Sequence, residues 1–139
     1  MKDPSFTLRD TYSNMLTGNL LHEGETVGVY DGFAPGGAVP PYVILGPQTV
    51  VPRDATSCSF MSDCSLVVIV VTEFPTDEQG NKRMADDIAN QITQIMIPAP
   101  RANINLGTEF SCLKTTLAGI NTSTSQDKVN KYHEKAIRF

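Results

Sequence analysis

Leu66-Val67-Val68-Ile69-Val70-Val71 is the stretch on which the fold turns. The run is apolar throughout and β-branched after its first residue, so it reads as a strand. Side chains alternate along a strand, which places Leu66, Val68 and Val70 on one face and Val67, Ile69 and Val71 on the other. Both faces are apolar, so both require cover.

One cover lies just downstream. Met84, Ile88, Ile92, Ile95 and Met96 recur at helical spacing, with Asp86, Asp87, Asn90 and Thr93 on the wet side. Pro75-Thr76-Asp77 opens this helix and Pro98 and Pro100 end it. Upstream, residues 52–63 start polar and then carry Phe60 and Met61, which suits a projecting arm or the tip of a long hairpin. Residues 42–45 form a strand that Gly46-Pro47 interrupts and residues 48–51 continue. The glycine- and proline-dense stretch 33–41 is a loop, and residues 26–30 form a strand closed by Asp31-Gly32. Near the start, Asp3-Pro4 is a helix-opening pair, and Leu8, Tyr12, Met15, Leu16 and Leu20 give a helix over residues 4–19. After Pro100, strands are expected over 103–110, 111–120 and 129–139, with a polar turn at 121–126.

The order predicts one α+β domain spanning 1–139, a mostly antiparallel sheet with two helices packed on one face. The other face, carrying Val67, Ile69 and Val71, is then a candidate subunit interface. The alternative is that the last three strands fold back as the second layer of a sandwich.

Composition narrows the function. With 40% hydrophobic and 19% charged residues, 139 residues support one core. A net charge of −4 argues against a protein that grips phosphate backbones. No run is long and apolar enough to span a bilayer and Met1-Lys2-Asp3-Pro4 opens no signal peptide, so a cytosolic site of synthesis is expected. Cys58, Cys64 and Cys112 form no paired framework and read as reduced thiols; with His22 and His133 far from them in sequence, no metal site is expected.

No residue stands out as catalytic and no cofactor is implied. Gly32-Phe33-Ala34-Pro35-Gly36-Gly37 lacks the Gly-Lys-Ser/Thr of a phosphate loop and leads into a strand, not a helix. No Gly-x-Ser-x-Gly or His-Glu-x-x-His is present. His133 reads as an exposed or half-buried strand residue. The helix dipole accounts for Asp77, Glu78, Asp86 and Asp87 near the start of the second helix. Lys128, Lys131, Lys135 and Arg138 read as a solvated edge that discourages stray strand pairing.

Three motifs in this order give the chain a resemblance to a known family. They are Val29-Tyr30-Asp31-Gly32 followed by Pro41-Tyr42-Val43-Ile44-Leu45-Gly46; the apolar strand ending Val71-Thr72-Glu73 with the helix bearing Arg83-Met84-Ala85-Asp86-Asp87-Ile88-Ala89; and a final His133-Glu134-Lys135-Ala136-Ile137-Arg138-Phe139. Together they resemble the tail-completion, or tail-terminator, family of tailed bacteriophages over nearly the whole chain. The 52–63 segment is longer than the family pattern, and tryptophan is absent where the family often has one. The resemblance implies a non-enzymatic virion protein that forms a ring, commonly a hexamer, at the head-proximal end of the tail. Its partners would be copies of itself, the tail tube protein and the neck or connector proteins, with genomic DNA passing through the lumen unbound. An acidic subunit suits a channel that must release DNA. The segments around Gly36 and Gly37 and around Arg53 and Asp54 are then the candidate partner-contact loops. The alternatives are a stopper or adaptor of the same connector, or a small cytosolic ligand-binding or hydrolytic domain with a deep polar pocket.

Overall fold

The computed structural model describes residues 1–56, 58–75, 82–126 and 130–139, with the backbone alone at 54, 55, 75, 130 and 131. The chain runs α1 (Ser5–Leu16), β1 (Leu21–His22), β2 (Glu25–Thr26), β3 (Gly28–Asp31), β4 (Tyr42–Thr56), β5 (Ser59–Pro75), α2 (Arg83–Met96), β6 (Gly119–Gln126) and β7 (Asn130–Arg138). This is an α+β fold with two helices and a mostly antiparallel sheet, as the sequence predicts.

The apolar run sits in the middle of β5, and β5 sits in the middle of a five-stranded sheet ordered β3-β4-β5-β7-β6. Burial follows the predicted alternation. Leu66, Val68 and Val70 are fully buried together with Val43, Leu45 and Ile137, their neighbours on the same face. Both helices lie over that face. Helix α1 contributes Leu8, Tyr12 and Leu16, and α2 contributes Ala85, Ile88, Ala89, Ile92 and Met96, all to one core.

Polar bonds fix the helices to the sheet. Arg9 of α1 donates to Asp31 on β3 and to the carbonyls of Gly46 (2.8 Å) and Leu45 (2.6 Å) on β4. Three bonded nitrogens around one guanidinium lock the helix to two strands at once. Lys135 of β7 pairs with Asp86 of α2. Gln91 of α2 exchanges both of its amide bonds with the backbone of Leu21, at 3.0 and 2.8 Å, which holds the small β1-β2 hairpin against the helix.

Helix α1 is shorter than the predicted span 4–19. Asp3 accepts the Ser5 N–H (2.9 Å) and Ser5 hydroxyl, so the helix opens where Asp3-Pro4 implies, and those two bonds hold the Asp3 carboxyl below its ordinary pKa. The chain leaves the helix at Thr17, which is extended, and turns through Gly18 at φ +78°. The predicted opening of α2 at Thr76-Asp77 lies outside the described residues.

Four features differ from the expectation. The pair β3-β4 is parallel, with Val29 opposite Val43, so the loop 32–41 doubles back past β3 to start β4 alongside it. Gly32 at φ +80° begins that reversal and donates its N–H to Leu45 O (3.0 Å). Residues 103–118 are not strands. Ile104, Leu106 and Cys112 reach the core one at a time from an irregular segment, a spacing that mimics alternation. The stretch 121–126, expected as a turn, lies within β6, whose residues are all exposed. Without a buried face, such a strand carries no apolar alternation to read. Finally, β7 lies between β5 and β6, so it is no edge, and β6 and β7 extend the same sheet sideways instead of forming a sandwich layer. The lysine-rich reading of β7 as a protective edge is corrected accordingly, and His133, expected exposed or half-buried, is buried.

Tyr12 packs edge-on against Phe139, with ring centroids 5.9 Å apart. Burial, and then the neighbouring Cys112 and Cys64 thiols, push its hydroxyl well above its ordinary value of about 10. The unfolded chain therefore releases that proton at lower pH than the folded one, so Tyr12 costs stability as pH rises past about 10. Thermal melts from pH 8 to 11 are expected to show an alkaline loss of stability that Tyr12→Phe reduces.

Candidate subunit and partner-contact surfaces

The sheet face opposite the helices carries Val67, Ile69 and Val71, as the alternation requires. Ile69 is half-buried and has Ile44 of β4 and Ala136 of β7 as its register partners. Tyr42 and Tyr30 continue the same face onto β4 and β3 as an edge-to-face pair with centroids 5.9 Å apart. The result is an apolar strip across four strands with no helix over it. Val71 is 6% exposed beside its partner Tyr42, so Val67 and Ile69 offer more of the contact surface than Val71 does.

Beyond Leu45 and Val67, β4 and β5 leave the sheet as a two-stranded arm. The neighbouring strands stop there: β3 ends opposite Leu45, and β7 ends opposite Val67, with Phe139 bonding Leu66 just after. A register shift between Leu45 and Gln48 marks the root, where the sequence has Gly46-Pro47. Pairing then continues through Val51 with Asp63 and Arg53 with Met61 to Thr56 with Ser59. The predicted arm at 52–63 is thus the outer part of a longer hairpin. Val51 (56% exposed) and Phe60 (68%) stand out from it into solvent. Arg53 pairs with Asp63 across the ribbon, both well exposed, which orders the tip and adds little stability. The side chain of Asp54 lies outside the described residues.

Gly36 and Gly37 occupy the exposed loop 32–41, in a turn closed by Ala38 N–H donating to Pro35 O (3.0 Å) and followed by a cis Pro40-Pro41 bond. Phe33 and Val39 on the same loop are 89% and 80% exposed. The loop enters β4 at Tyr42 and the arm leaves at its other end. At about 3.3 Å per residue, roughly 40 Å of strand separates Pro41 from Arg53. The loop starts at Gly32 beside Leu45, at the root of the arm, and runs back to Pro41, so the two candidate contact segments are separate stretches of surface, and each displays large apolar side chains to solvent.

Chemistry is sparse elsewhere. Among the described residues, one shallow hollow is lined by Met1, Asp3, Pro4, Ser5, Gln48, Val50 and Pro52, and another by residues of 103–112, where Asn103 donates to Cys112 O and Asn105 accepts from Gly107 N–H. Both are open, and neither gathers the convergent polar groups that the ligand-binding alternative requires. Burial and the nearby Asp63 raise the Cys64 thiol, which makes it a poorer nucleophile. Cys64 and Cys112 are unbridged. Asp86 is committed to Lys135, and Asp87 accepts from Gln91 at 3.1 Å; Asp77 and Glu78 lie outside the described residues. Among the described residues no three His, Cys, Asp or Glu side chains gather to hold a metal ion, and no helix is long and apolar enough to cross a membrane.

Among the described residues three polar side chains are buried, Thr72, Thr115 and His133, and His133 is the titratable one. Its Nδ1 shares a 3.0 Å hydrogen bond with Thr124 Oγ1 on β6, and its ring meets Phe74 edge-on at 5.5 Å. A histidine among lysines gives no sign of burial; its even spacing from Ile137 is the only clue that it shares the helix-covered face. No known protein-family model matches the chain, and a search of curated proteins finds no match either.

Proposed function

We infer that this chain is a structural ring subunit at the head-proximal end of a bacteriophage tail, where it terminates the tail tube and joins it to the neck. The observation that carries this reading is one sheet with two exposed segments bearing large apolar side chains, the 32–41 loop and the outer β4-β5 arm, and between them an apolar face that neither α1 nor α2 covers. A joining ring needs those three surfaces, one toward the tube, one toward the neck and one toward its own copies.

The three motifs behind the family resemblance add support, because they lie together in the fold. The first forms the β3-β4 pair, the second forms β5 and α2, and the third is β7 beside β5. In this role DNA passes through the lumen without being held, and the residues act by shape. The assembled protein belongs to the virion.

The test is to mix the purified chain with tail tubes that lack a terminator and image them by negative stain. Added density at one end of each tube, with growth stopped there, is the expected result. Tubes that remain bare, or are decorated along their sides, contradict it.

A further inference from the structure

Strand β6 is an unusual edge. Its sequence, Gly-Ile-Asn-Thr-Ser-Thr-Ser-Gln, has no charge and no proline, and it pairs with β7 in unbroken register from Gly119 opposite Arg138 to Gln126 opposite Lys131. Soluble proteins protect such edges with lysines, prolines, bulges or a covering segment. Here all eight residues are exposed.

The backbone groups it presents can be assigned. In an antiparallel ladder the N–H and C=O of one residue point the same way, and alternate residues point to opposite sides. Leu66 and Phe139 exchange both bonds, at 3.2 and 3.1 Å, so Phe139 faces β5, while Arg138, Ala136, Glu134 and Tyr132 face β6. Their register partners are Gly119, Asn121, Ser123 and Ser125. Ile120, Thr122, Thr124 and Gln126 therefore aim their N–H and C=O groups away from the sheet.

A second open edge lies on the arm. Past Leu66, the side of β5 that β7 occupies lower down has no strand beside it, and the same alternation leaves Phe60, Ser62 and Cys64 facing outward there. Among the described residues no backbone hydrogen bond crosses to them from that side. This edge also lacks proline. The arm's other edge is blunted by Pro52, which stands opposite Ser62 in the non-bonded position and so has its missing N–H on the outside. The root of the arm is supported, with Cys64 packed against the core and Gln48 donating to Ser5 O at 3.3 Å, but its outer part is a two-stranded ribbon, marginal in water, that holds Phe60 in solvent.

We propose that the outer edge of β6 in one subunit pairs with the open β5 edge of the arm, residues 59–65, in a neighbouring copy of the same chain. The two edges are of similar length, and the one charge on residues 59–65, Asp63, is paired with Arg53 and meets no charge on β6. Because the two edges differ, the contact is head-to-tail: each subunit gives an arm to one neighbour and a β6 edge to the other, which is how a ring grows. The inference rests on the ring reading and adds to its sheet-face contact a second, edge-to-edge junction between the same copies, formed by the side of the arm while the tip at Arg53 stays free for the tube or neck.

Proline substitutions test it, since they remove one outward N–H and leave the inner ladder in place. Thr122→Pro on β6 and Ser62→Pro on the arm are each expected to reduce the light-scattering mass to that of one 15.1 kDa chain at concentrations where the wild type is assembled. Thr122→Ala and Ser62→Ala keep their N–H groups and are expected to assemble. Mixed together, the two proline variants retain one good junction between them and are expected to stop at a pair of chains. If both proline variants assemble like the wild type, the junction is elsewhere and the ring reading stands. If Ser62→Pro alone gives a pair while Thr122→Pro does not, β6 pairs with β6 about a two-fold axis and the proposal is overturned. A wild type that stays a single chain throughout, with tail tubes added as well as alone, overturns the ring reading and the junction together. Should either proline variant fail to melt cooperatively, hydrogen exchange on the wild type decides: the amides of Ile120, Thr122 and Thr124 are expected to slow on assembly, and continued fast exchange in the assembled form overturns the pairing.

Discussion

Val68→Asp is expected to leave no folded protein. Val68 is fully buried in the central strand, between Leu45 on one side and Ile137 on the other, with helix residues above. Removing its apolar burial costs about 1.5–3 kcal/mol. Placing an unpartnered polar group there costs roughly 2–7 kcal/mol more, even if the carboxyl stays protonated. That total is comparable to the whole stability of a domain this size, about 5–15 kcal/mol. Expression trials are expected to give insoluble chain, and circular dichroism of any soluble fraction no cooperative melt. A soluble variant with a cooperative melt would remove Val68 from the core.

Its neighbour should behave in the opposite way. Ile69→Lys places the same kind of insult one residue along, where the side chain points to the face with no helix over it. Lysine can lie along Ile44 and extend its ammonium into solvent, so the fold is expected to persist with a small change in melting temperature. Assembly is expected to be lost, since a closing interface would have to strip water from that charge. Light scattering and a thermal melt on one sample separate the two effects. An assembled Ile69→Lys protein would exclude this face from the subunit contacts.

The contrast between Val68 and Ile69 was legible in the sequence because a strand has period two and both of its faces are apolar here. Helix α2 was legible for a similar reason, its stripe from Ile88 to Ile92 and Met96 being uninterrupted. The arm was visible as a change of composition, with Phe60 and Met61 in a polar stretch. What escaped was the C-terminal third. Strand β6 is held by backbone pairing to β7 while all its side chains face water, so its serines and threonines resembled a turn. Residues 103–118 showed the reverse: Ile104, Leu106 and Cys112 follow the core surface with no ladder beneath them, while Leu113 and Leu117 face solvent. The parallel β3-β4 pair escaped because direction depends on the path of the 32–41 loop, and glycine and proline mark a turn without saying which way it leads.

These misreadings bear on the contact surfaces. Val67, Ile69 and Val71 became candidates through strand alternation, and the loops at Gly36, Gly37, Arg53 and Asp54 through the family resemblance, whereas the free edge of β6 was invisible until its partner strand was known. An edge is a property of the sheet order, which no local motif encodes.

We propose that this chain assembles with itself, and the most direct measurement is the solution mass of the purified wild-type protein by light scattering across a concentration series, with negative-stain images of the same samples. A closed species of about six chains, seen as rings, or a single chain that forms rings when tail tubes are added, is the expected result. A single chain at every concentration that never joins a tube would contradict the account.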